Sequence, residues 1–132
     1  MELSPRAPRR RAKRRLSRSA DFERVYRQGR SFGGRFFILH LFPRSDEGEL
    51  ASEGPRLGLS VSRKCGGAVE RNRIKRLLRE AFEGQYARLH AADDIVIVAR
   101  PDAGELAERE GLEGVERELS ELVDQAAAEE SA

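Results

Sequence analysis

The segment RNRIKRLLREAF, Arg71 to Phe82, places Ile74, Leu77, Leu78, Ala81 and Phe82 at the spacing of one helical face. That stripe obliges the rest of the chain to supply an apolar surface for the helix to lie on. The other side is stranger. Arg71, Arg73, Lys75, Arg76 and Arg79 crowd into nine residues with Asn72 among them, and the nearest acids, Glu70 and Glu80, stand only at the ends. Like charges at this spacing repel by about 0.2–0.5 kcal/mol per close pair. A face kept only for solubility intersperses its signs, so this one is expected to meet phosphate.

Strand-like runs surround the helix. RFFILHLF, Arg35 to Phe42, is aromatic and β-branched, entered through Gly33-Gly34 and closed by Pro43. Alternation sets Phe36, Ile38, His40 and Phe42 on one face and Phe37, Leu39 and Leu41 on the other. PRLGLSVSRK reads as a second strand, antiparallel to the first, after a small-residue acidic loop, SDEGELASEG. DIVIVARP is apolar almost throughout, as a strand buried on both faces would be. SADFERVYRQG reads as a short first helix stopped by Gly29, with Phe22, Val25 and Tyr26 on one side. Leu112, Val115, Leu119, Leu122 and Val123 give a last helix, acidic on its outer face. The order α-β-β-α-β-α predicts an α+β fold, helices packed on a small mixed sheet.

The charge is segregated along the chain. Net charge is only +2, yet residues 1–100 hold 23 Lys and Arg against 12 Asp and Glu, while 101–132 hold 2 against 11. Such asymmetry points the basic part toward a polyanion. Residues 1–18 carry eight cations, two prolines and little to bury, so they are expected to form a disordered basic arm. One domain then spans 19–126, and 127–132 forms an acidic tail. Arg outnumbers Lys 22 to 3, a bias that suits phosphate and base stacking. The single cysteine, Cys65, excludes an internal disulfide and a thiolate zinc site and reads as a small filler. No apolar run reaches the length of a membrane span, and the N-terminus lacks the apolar segment of a secretory signal, so a cytoplasmic location is the default.

The residues offer binding chemistry and no hydrolytic chemistry. No paired carboxylates, Ser-His pair or metal-ligand spacing stands out for cutting a substrate, so no catalytic residue and no metal site is assigned. Arg63, Lys64, Arg71, Asn72, Arg73, Lys75, Arg76 and Arg79 form the candidate phosphate surface, with Gly66-Gly67 letting backbone amides approach. Asn72 is either a reader of a base, sugar or phosphate or a helix cap. Phe22, Tyr26, Phe36, His40 and Phe42 form a candidate stacking platform for a single strand, although Phe36 and Phe42 taken singly read as core. A DNA-binding module is disfavoured, since no second helix stands at helix-turn-helix spacing.

GLSVSRKCGGAVERNRIKRLLREAF, with SADFERVYRQGR upstream and DIVIVARP downstream, resembles the protein subunit of bacterial ribonuclease P over roughly residues 16–125. The resemblance implies a ribosomal protein S5 domain 2-like fold with a left-handed βαβ crossover, the hand that the general rule disfavours. It implies a cytoplasmic ribonucleoprotein endonuclease that removes the 5′ leader from precursor tRNA. The RNA subunit performs the hydrolysis with Mg²⁺, which it mainly holds, and the protein assists. No organic cofactor, membrane or DNA partner is implied. The eight residues of the phosphate surface become contacts to the catalytic RNA; Phe22, Tyr26, Phe36, Ile38 and His40 become the leader surface. His40 stands where tyrosine is frequent in that family, and CGG where VGN or similar is common. A structural rRNA-binding protein is the alternative that shares the basic helix and arm.

Overall fold

The computed structural model describes residues 15–16, 19–43, 54–90 and 93–131. In chain order these form α1 (Ser19–Gln28), β1 (Arg30–Gly33), β2 (Phe37–Pro43), β3 (Arg56–Val61), α2 (Ala68–Glu83), β4 (Asp93–Ala99) and α3 (Ala103–Ser131). Short 3-10 turns at Arg63–Cys65 and Tyr86–Arg88 flank α2. The four strands make one mixed sheet in the order β1-β2-β4-β3, an α+β architecture with the expected sequence of helices and one additional strand.

That additional strand, β1, is four residues long and pairs antiparallel with β2, Phe32 facing Leu39. Its RSFG sequence is too short to display a period. β2 and β3 do run in opposite directions, but they are not partners. β4 lies between them, antiparallel to β2 with Leu39 opposite Ile97, and parallel to β3 with Leu59 opposite Ile97. Composition explains the placement: β4 is buried along nearly its whole length, whereas β3 carries Arg56 and Ser60 and tolerates an edge. Parallel neighbours need a crossover connection, and α2 is that connection.

The two sheet faces are covered unequally. On one, Phe37, Leu39, Leu41, Ile95 and Ile97 pack with Ile74, Leu78 and Phe82 of α2 and Val115, Leu119 and Leu122 of α3. Each fully buried side chain of this size contributes about 1.5–3 kcal/mol, so this layer dominates stability. On the other face the shorter α1 sets Val25 against Leu16 and Val96, with Phe22, Phe42 and Val98 around them. Beneath it Asp94, fully buried, takes two hydrogen bonds of 2.8 Å from Arg56.

Two expected boundaries shift. Most of the basic arm lies outside the described residues, but Arg15 and Leu16 do not. Arg15 bridges to Leu57 in parallel, the Leu16 N–H donates to the Leu57 carbonyl at 2.8 Å, and the Leu16 side chain is buried. Leu16 is the one large apolar residue after Pro8 in that segment, so the hydrophobic effect pulls it in. At the other end α3 continues through most of the expected tail to Ser131, broken once at Gly111, whose φ of +61° is non-helical.

Candidate nucleic-acid interface

α2 is held by its apolar stripe. Ile74, Leu77, Leu78, Ala81 and Phe82 are buried, which fixes the rotation of the helix and turns the rest of its circumference outward. Asn72, Arg76 and Arg79 are exposed, with Arg71, Arg73 and Lys75 half-buried at the margins. Gly67 is the N-cap and makes no side-chain capping bond. Asn72 therefore stands beyond the first turn and is not a cap. Val69, 73% exposed, adds an apolar point in that first turn which the charge pattern did not reveal.

The approach to α2 is built by Cys65. Its buried Sγ donates to the Ala99 and Arg100 carbonyls at 3.5 and 3.4 Å, tying the turn before α2 to the end of β4. Burial raises the thiol pKa, against smaller lowering by Ser62 and Arg71, so this is an anchor and not a nucleophile. Gly66 follows at φ +130°, where an L side chain is strained, and a Cβ would stand 2.9 Å from the Glu70 Cβ. Arg63 and Lys64 are thereby held exposed beside the first turn of α2.

Ion pairing separates this surface from the others. Arg24, Arg27, Arg30, Arg35, Arg56, Arg88, Arg109 and Arg117 each stand beside a carboxylate. Among the described residues no ion pair is made by Arg63, Lys64, Arg71, Arg73, Lys75, Arg76 or Arg79. The Nε of Arg71 is buried and without a hydrogen-bond partner. Arg79 has its pKa lowered, first by burial and then by the positive charge of Arg15. Among the described residues, the carboxylates thus leave the cations of α2 and of the turn before it without an ion pair.

A groove opens on the other face of the sheet. Tyr26 of α1, 41% exposed, sets its ring edge-on to His40 at 4.9 Å, and Phe22 stands 6.3 Å behind it. Burial lowers the His40 pKa, leaving a neutral imidazole at neutral pH. α1 covers the row formed by His40, Val96 and Gly58; the next row, Ile38, Val98 and Ser60, stays half-exposed. Phe22, Tyr26, Ile38 and His40 accordingly meet along one groove, joined by Val98 and Ser60, which sequence reasoning missed because pairing alone puts them in register.

Phe36 does not join them. It precedes β2 in a bend, where strand alternation does not hold, and packs on the α3 side of the sheet. There it lies under the Arg35 guanidinium at 5.1 Å and beside Leu106. Phe42 packs against the small core beneath α1. No group of three or more His, Cys, Asp or Glu side chains suited to holding a metal ion occurs among the described residues, and no described helix is long and apolar enough to cross a membrane.

Comparison with known proteins supplies the context for this geometry. The sequence model of the family described as Ribonuclease P matches residues 11–127. The ribonuclease P protein component of Bacillus pumilus is 40% identical over 92 residues, 70% of this chain and 73% of that protein. That of Bacillus velezensis is 41% identical over 93 residues, covering 70% and 75%. Among solved structures, the Staphylococcus aureus RNase P protein superposes with a TM-score of 0.73 at 32% identity, covering 86% of this chain and 94% of that one. The Thermotoga maritima RNase P protein gives 0.71 at 29% identity, covering 84% and 96%.

Proposed function

This chain belongs to the ribonuclease P protein family, and we propose that its two surfaces divide the work of an RNA-based endonuclease. As a protein component of ribonuclease P it is a subunit of an endoribonuclease whose partner is the ribonuclease P RNA. In our reading the unpaired cations of α2, with Asn72, Arg63 and Lys64, lie on that RNA. The groove of Phe22, Tyr26, Ile38 and His40 takes the single-stranded 5′ leader of precursor tRNA. The observation that carries this reading is the cationic face of α2, which makes no ion pair among the described residues while eight arginines elsewhere stand beside carboxylates.

The physical roles follow from the side chains. Guanidinium groups displace counterions from the RNA backbone, which gives affinity without sequence preference. The Tyr26 ring offers a stacking surface to any base, as a leader of variable sequence requires. Cleavage itself is assigned to the RNA with Mg²⁺; the protein's described residues offer no ligand cluster for that ion, and its contribution is positioning. The reading places the complex in the cytoplasm. The test is precursor-tRNA cleavage at low Mg²⁺, by RNA alone, by protein alone and by both. Expected are specific 5′ processing by the pair, weaker activity of RNA alone and none by the protein. Metal-dependent cleavage by the RNA-free chain would reject the assignment.

A further inference from the structure

We propose that a second cleft, at the outer edge of β3, receives one unstacked nucleotide of the RNA that α2 faces. This rests on the reading of α2 as the RNA surface and adds a base-binding site to it. The cleft measures about 130 Å³ and lies between β3, α1, α2 and the Tyr86 turn. Its floor is apolar, made by Leu16, Phe22, Leu57 and Leu59. Its rim carries three cations, Arg15, Lys75 and Arg79, against the single carboxylate of Glu83.

These features fit a nucleotide better than a free anion. Inorganic phosphate has no use for an apolar floor, whereas a base gains by covering Leu57 and Leu59 beside an aromatic wall. Tyr86 supplies that wall, steadied edge-on by Phe82 at 5.1 Å. Main-chain groups are available too. The Leu57 carbonyl points out of the sheet to accept from Leu16, and the period of two turns the Leu59 N–H and carbonyl the same way. β3 is the last strand, and among the described residues no backbone group pairs with that side of Leu59. Arg15 and Arg79 repel one another across the rim; a phosphate between them removes the conflict. Lys75 and Arg79 belong to the same helix as Arg76, so a polynucleotide on the outer face of α2 reaches the cleft without leaving the protein.

The test compares affinity for ribonuclease P RNA in the full chain and two variants. Leu59→Trp fills the cleft without changing charge and is expected to weaken binding about tenfold with the salt dependence unaltered. Arg76→Ala, on the outward face, reports on α2 itself and is expected to weaken binding and flatten the salt slope by about one. Native affinity in a folded Leu59→Trp chain overturns the cleft while a deficient Arg76→Ala still supports the helix surface. If Leu59→Trp fails to fold, methyl NMR of the unaltered chain decides. Nucleoside 5′-monophosphates are expected to shift Leu57 and Leu59, and inorganic phosphate to leave them in place. Equal responses to both, no response to either, or Leu59 signals that change only on deleting residues 1–14, overturn the proposal.

Discussion

Arg73 and Arg76 are the side chains whose removal most directly tests the proposed RNA surface. Both lack an ion pair among the described residues, so their loss frees no buried carboxylate and leaves the fold intact. Replacing both by alanine is expected to flatten the slope of log affinity against log salt by about one to two units, measured by RNA titration at several salt concentrations. His40 makes a different prediction. Burial lowers its pKa below the unfolded value, so between the two pKa values the unfolded chain binds more protons and stability rises with pH. That stability is complete above the unfolded pKa and is lost on acidification through this window. Urea unfolding at pH 7 and pH 5 is expected to show a larger acid penalty for the parent than for His40→Tyr. Individual residues also mark where sequence patterns lose force: Phe36 sits in a bend, so the period of two that assigned its face does not apply, and Asn72 is freed of a capping role only once Gly67 is seen to begin the helix.

Elements are positioned by close approaches that single residues permit. α1 can lie low on the sheet because Gly58 has no side chain: a Cβ there would stand 2.6 Å from Phe22 Cζ and 3.1 Å from Leu16 Cβ. Gly58→Ala is therefore expected to cost about 1–3 kcal/mol, read by chemical denaturation, and to loosen both the Tyr26 groove and the β3 cleft, which share Phe22. α3 owes its bend to Gly111, and the Arg117 to Glu110 pair at 2.7 Å spans the break. Helix identities were legible because their apolar stripes repeat over several turns. β1 was not, being four residues beside a helix stop, and neither was the anchoring of Leu16, which depends on a strand more than forty residues away.

At the scale of the whole molecule the charge is sorted by element. Acids of α3 are answered by basic residues from distant segments, Arg30 to Glu129 and Arg88 to Asp124, as is Asp102 in the turn before it by Arg35, and α2 is left positive. In the proposed reading this sorting orients the chain on its RNA, with α2 toward it and α3 away. The amino-acid sequence by itself determined the α+β class, the burial stripe of α2, the cationic face opposite it and the family, because these depend on local periodicity and on a contiguous motif. Only the tertiary structure decided that β4 separates β2 from β3, that Phe36 leaves the groove while Val98 and Ser60 enter it, and that Arg15 meets Arg79 above an apolar cleft. Strand order and convergence of distant side chains are set by which surfaces bury most area together, a property of the packed chain that no local window contains.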